Sequence, residues 1–423
     1  MASRSARSNF DASGAWQSGP LRAFAVEGYT MHYALLKTLV ALVGIVAAAA
    51  DAPSVAQTVN TSMSQPAIRK GNYNISARTA ADIALPNPYL MDETFFKWPK
   101  GRPIGAISAI DMDRDGKSIW VFERCGNINN CIGSTVNPIM KFDETGRLVK
   151  EFGAGLFVYP HGIFVDYENN IWVTDLQSNI DRAAGLTGEK APAAPPGTAP
   201  NGAVVRKFSP DGKLLLTLGT PGVMGSDNVH FSQPSDVVVA RNGDVFVADG
   251  HDTQPSNHRI IKFDRNGRYI KEWYACGTLP QDTLDCQHGL ALDSQGRLFV
   301  ANRGNNRLEI FDQEGKLLDE LYDYGRVSGL FIDDNDILYA ADSESDVMQH
   351  NAFVRGVHIG NARTGAVTAF LPDPQGNPSP WMPAGATNGA EGVAVARDGT
   401  IYVSKVVPAQ LVRYVRKDSL PPK

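Results

Sequence analysis

Imidazole and carboxylate side chains are the ligand types of Zn²⁺ and Fe²⁺, and three protein donors beside an open position describe a catalytic metal site. This sequence of 423 residues holds 8 histidines. Two of them, with one glutamate, fall in a single recurring slot. The slot opens six related segments: SAIDMDRDGKSIWVFER from Ser108, HGIFVDYENNIWVTD from His161, SDVVVARNGDVFVADG from Ser235, HGLALDSQGRLFVANR from His288, SGLFIDDNDILYAADS from Ser328 and EGVAVARDGTIYVSK from Glu391. Its occupants therefore alternate Ser, His, Ser, His, Ser, Glu. His161, His288 and Glu391 are the candidate metal ligands.

The elements that must position them follow from the same segments. Each is a run of alternating or β-branched apolar residues, a polar turn, and a second run rich in Ile, Val, Phe, Trp and Tyr, which predicts a hairpin. Recurrence every 40 to 74 residues of a β-only unit predicts a propeller. The fold class expected is all-β, a six-bladed β-propeller forming one closed unit, because each blade covers its neighbour's apolar face. Alternate blades of such a ring stand about 120° apart, so the three donors converge on the central channel. A second motif supplies the outer strands: IMKFDETGRLVKEF from Ile139, VVRKFSPDGKLLLTLG from Val204, IIKFDRNGRYIKEW from Ile260 and LEIFDQEGKLLDEL from Leu308. The propeller is expected over 96–416, after a lead-in at 57–95 and before a short tail at 417–423. Insertions at 176–203 and 343–359 fall at equivalent points of blades two and five, where they would border a cleft over the channel. Asp175, Asp249 and Asp342 end the second strand of their blades, a place for short carboxylates that accept backbone N–H groups.

Composition narrows the partners. With 43% hydrophobic and 20% charged residues the chain is globular, and a net charge of −5 without a basic run argues against nucleic acid. From Met31, Lys37 precedes an apolar run at 38–50 followed by small residues, the anatomy of a signal peptide over 31–56. Residues 1–30 then read as an upstream extension. The apolar run is short of the roughly 20 residues that span a bilayer, so no stable membrane insertion is expected after cleavage, and the mature protein is placed outside the cell or in a periplasm. The four cysteines form two local pairs, Cys125 with Cys131 and Cys276 with Cys286, the simplest of three connectivities and one an oxidising compartment permits. Nothing in the chain signals an oligomeric state.

The segments LFVYPHGIFVDYENNIWVTD, GSDNVHFSQPSDVVVARNGDVFVADG and QHGLALDSQGRLFVANRGNNR resemble, in order and spacing, the peptidyl-α-hydroxyglycine α-amidating lyases, whose broader kin are propellers with NHL-type repeats. The resemblance implies cleavage of an α-hydroxyglycine N–C bond to an amide and glyoxylate, with zinc (or iron) held on the axis. It places the family's two arginines at Arg124 and Arg303, where guanidinium groups grip a carboxylate. Three departures stand out. Glu391 replaces the family's third histidine. His251 follows ADG where the family has its catalytic tyrosine, which makes it the candidate general base. Gly392 stands where the family has an aspartate, which argues against its structural calcium. A small molecule or peptide is the substrate implied. A lactonase-like hydrolase using the same metal, and a binding propeller without chemistry, are the competing readings, since function lives in the site and not in the fold.

Overall fold

The computed structural model describes residues 84–180, 199–251, 257–276, 286–345, 353–374 and 389–419. The upstream extension and targeting segment, and most of the insertion at 176–203, lie outside these residues. Six four-stranded antiparallel sheets follow one another along the chain: blade 1 over 107–152, blade 2 over 160–218, blade 3 over 234–274, blade 4 over 287–321, blade 5 over 327–372 and blade 6 over 392–416. Each innermost strand touches the innermost strands of its two neighbours, and that of blade 6 touches that of blade 1, so the ring is closed.

Closure uses a strand from the segment read as lead-in. Tyr89–Asp92 pairs antiparallel with Gln410–Arg416 as the outer strand of blade 6, and Arg413 bonds Asp92 across it at 2.6 Å. The propeller thus begins at Tyr89 and not at 96. This early segment supplies a fourth strand for an otherwise three-stranded last blade, which a sheet with an open edge needs.

The second strands Ile119–Glu123, Ile171–Asp175, Val245–Asp249 and Leu298–Asn302 are buried along their whole length. They lie between neighbouring sheets, and this explains their unbroken apolar runs. Outer strands such as Leu148–Phe152 and Tyr269–Tyr274 alternate in exposure. Trp120 and Trp172 fill the seams, and their indole N–H groups donate to Asp113 and Asp166 at 2.9 Å. At the first turn, Gly116 and Gly243 take φ of 72° and 92°, whereas blades 2 and 5 use Asn169 (66°) and Asp336 (59°), side chains that tolerate that region. Both disulfides form as paired locally in the sequence, each with Cα atoms 5.1 Å apart. No helix among the described residues is long and apolar enough to cross a membrane.

Candidate metal centre

A local irregularity aims the slot. In blades 1 to 5 the register of the first hairpin shifts across the slot residue, between Ile107 and Ala109, Pro160 and Ile163, Pro234 and Asp236, Gln287 and Leu290, and Val327 and Gly329. A bulge turns a side chain out of the normal alternation. All six slot residues, Glu391 of the unshifted blade 6 included, line one axial cavity of about 480 Å³.

His161 and His288 meet in that cavity with ring centroids 4.7 Å apart. His251, from the loop after Val245–Asp249, joins them at 4.8 Å from His161 and 5.0 Å from His288. One nitrogen from each of the three rings lies within 4.8 Å of the others. Glu391 stands outside that compact set but reaches His288, with Oε1 3.3 Å from Nε2.

The serines of the slot have a part the sequence did not reveal. The Nδ1 of His161 faces the Ser235 carbonyl at 2.7 Å, and the Nδ1 of His288 faces the Ser328 carbonyl at 2.9 Å. Each histidine is thus tied to the next blade's slot residue through its backbone. Such a bond places the proton on Nδ1 and leaves Nε2 with a lone pair, the arrangement metal-binding histidines use. Nε2 of His288 is buried and has no hydrogen-bond partner among the described residues. A glycine follows four of the six slot residues and permits the approach: a Cβ on Gly289 would press onto the Ser328 carbonyl, and one on Gly329 onto that of Glu391.

Electrostatics favour neutral rings. Burial holds His161 well below the ordinary imidazole value, with His251 and Arg124 pushing the same way and the Ser235 bond opposing. His288 is lowered by burial, then by Arg303 and its fellow histidines. Glu391 is raised by burial, against the pull of Arg303. The donors present therefore fit a divalent cation: two buried imidazoles held neutral, His161 and His288, the latter with an Nε2 that has no hydrogen-bond partner among the described residues, and a buried carboxylate. The spacing of 3.3 Å between Nε2 and Oε1 also matches the edge of a tetrahedron with bonds of about 2.05 Å.

Both arginines flank this centre. Arg124 is buried, its guanidinium 3.9 Å from the Tyr159 ring centroid, donating to Ile128 O at 3.0 Å. Its Nε has no partner among the described residues. Arg303 pairs with Glu344 at 3.3 Å. Each arginine is braced by a disulfide: Cys125 follows Arg124, and the Cys286 carbonyl accepts the Arg303 N–H at 2.7 Å. The carboxylates at strand ends are structural. Asp175 accepts Val158 and Tyr159 N–H groups, Asp249 those of Ser232 and Gln233, and Asp342 those of Ser345 and Arg326.

An NHL repeat matches residues 286–311, the stretch that carries His288 and Arg303. A probable peptidyl-α-hydroxyglycine α-amidating lyase of Caenorhabditis elegans is 26% identical over 74% of this chain and 83% of its own length. NHL repeat-containing protein 3 of Homo sapiens is 27% identical over 59% of this chain and 62% of its own length. Peptidyl-α-hydroxyglycine α-amidating lyase 1 of Drosophila melanogaster is 30% identical over 51% of this chain and 39% of its own length. The chain spans most of the nematode relative and less than two thirds of the other two. It is thus a six-bladed β-propeller with an NHL repeat that resembles the peptidyl-α-hydroxyglycine α-amidating lyases.

Proposed function

We propose that this protein is an exported, metal-dependent lyase that cleaves the N–C bond of an α-hydroxyglycine-type substrate to an amide and glyoxylate. The observation that carries the reading is the axial cluster of His161, His251, His288 and Glu391, with Arg124 and Arg303 beside it. His161, His288 and Glu391 would hold zinc or iron, which when bound supplies Lewis acidity at the substrate hydroxyl. His251 differs from the other two rings, because it sits on a loop and is only half-buried. A ring in contact with solvent can pass its proton on, which suits a base better than a fixed ligand.

Arg124 and Arg303 bind the substrate carboxylate and orient the α-carbon toward the imidazoles. His251 accepts the hydroxyl proton. The oxygen forms a carbonyl, the C–N electrons leave with the amide nitrogen, and that nitrogen takes a proton. The opposite side of the site is shielded from bulk water, since His161, His288 and Glu391 are all buried, while His251 keeps its contact with solvent. The two disulfides, and relatives that are amidating lyases, support the oxidising location and the reaction class.

The test is glyoxylate release from α-hydroxyhippurate by the purified mature protein, lost on chelation and restored by zinc or iron. A metal-loaded protein that releases none overturns the lyase. If the same protein opens a lactone, the hydrolase reading replaces it, and a protein that takes up no metal leaves a binding propeller.

A further inference from the structure

Close to the centre lies a feature that neither the repeat nor the metal cluster requires. Arg303 and Arg326 are both buried, with side chains 6% and 7% exposed, and a single carboxylate bridges them. Glu344 gives Oε1 to Arg303 Nη1 at 3.3 Å and Oε2 to Arg326 Nη2 at 2.9 Å. Its own side chain is 28% exposed, and it directly follows Ser343, whose hydroxyl meets that of Ser328 in the slot at 2.6 Å. Glu344 is thus the sequence neighbour of a residue that contacts the slot. The trio's charges reach the centre: Arg303 pulls the Glu391 carboxyl down and Glu344 pushes it up.

Two buried guanidinium groups sharing one carboxylate, two oxygens to two donors, are what a bound carboxylate ligand would look like. Here the occupant is part of the chain, is partly open to solvent, and pairs with both guanidinium groups. We infer that Arg303 and Arg326 form a two-guanidinium seat for the carboxylate of a small anionic ligand, and that Glu344 fills this seat as a displaceable internal counter-ion. The inference rests on the proposed reading of Arg303 as a carboxylate-binding residue and adds Arg326 and Glu344 to it. Ligand binding is then an exchange of one carboxylate for another. Glu344 pairs with both arginines, and it competes with every monocarboxylate that enters. Neutral ligands gain nothing from the exchange.

The test is calorimetric titration with hippurate, and with uncharged hippuramide as control, into the full chain and its Glu344→Gln and Arg326→Gln variants. Glu344→Gln is expected to tighten hippurate by about tenfold, and Arg326→Gln to weaken it by about tenfold, with hippuramide unmoved in both. Thermal unfolding guards against a folding defect. Hippurate should raise the midpoint of Glu344→Gln more than that of the wild type, because it supplies the carboxylate that the variant lacks. Unchanged or weaker hippurate binding in Glu344→Gln, parallel shifts of hippurate and hippuramide, or equal midpoint gains would overturn the seat. None of these readouts needs turnover. Failure to release glyoxylate sinks the lyase and leaves the seat standing; loss of anion preference in a protein that does release it sinks the seat alone.

Discussion

Nε2 of His288 lies 3.3 Å from Oε1 of Glu391, while Nδ1 of the same ring faces the Ser328 carbonyl at 2.9 Å. With the ring proton committed to Ser328, the first contact sets one lone pair against another. Two acceptors at that distance in a buried site repel each other unless a proton or a metal ion lies between them. Burial raises the Glu391 carboxyl, so a proton on it meets that need, and a bound cation is the alternative.

The metal reading is checked by elemental analysis of purified variants. His161→Ala and His288→Ala should abolish stoichiometric zinc or iron, and Glu391→Gln should weaken affinity by roughly 10- to 100-fold. His251→Ala should keep the metal and lose turnover. Metal lost in His251→Ala but kept in Glu391→Gln would exchange the two roles.

Gly289→Ala should damage both stability and metal uptake. The added methyl group meets the Ser328 carbonyl, which is the atom that orients His288. Forcing the inner strands of blades 4 and 5 apart should cost about 1–3 kcal/mol, read from denaturant midpoints, with metal affinity falling in the same protein. An unchanged affinity would mean the carbonyl does not orient the ring.

Replacing Cys276 and Cys286 by serine should lower stability by about 2–3 kcal/mol, the loop-closure value for a bridge of this span, whose sequence separation is 10. Arg303 hangs from the Cys286 carbonyl, so the KM for α-hydroxyhippurate should also rise. Kinetics unchanged despite lost stability would separate the disulfide from the arginine.

Asp236 lines the cavity and its pKa is pushed up to about 7, by burial first, against bonds from the Leu290 and Val237 N–H groups, with Asp111 adding to the rise. Its folded value exceeds its unfolded value of 3.8, so its contribution to stability is full below that value and is lost as pH rises through about 7. The stability of the wild type relative to Asp236→Asn should fall by a few kcal/mol between pH 4 and 8, because each tenfold change in proton affinity is worth about 1.4 kcal/mol. The lowered values of His161 and His288 act oppositely, costing stability as pH falls below the usual imidazole range, but they are common to both proteins and cancel in the difference. A pH-independent difference in unfolding free energy would contradict the raised carboxyl.

What could be read from residues alone was whatever repeats locally. Alternating apolar runs and Asp-Gly or Asn-Gly turns specify hairpins through neighbours a few positions apart, so the six blades and the slot were legible, and so were the cysteine pairs. The slot's alternation further marked His161, His288 and Glu391 as residues of one channel. Tertiary structure decided the rest, because the remaining contacts cross between blades and leave no period in the chain. The bulge that turns the slot inward depends on pairing across a hairpin. The Ser235 and Ser328 carbonyls act through backbone atoms that any residue carries, so no side-chain pattern announces them. His251 reaches the cluster from a loop outside the repeat. Tyr89–Asp92 becomes a propeller strand only because the far end of the chain leaves an edge for it. Arg326 and Glu344, 18 positions apart, meet Arg303 only where blades 4 and 5 pack together.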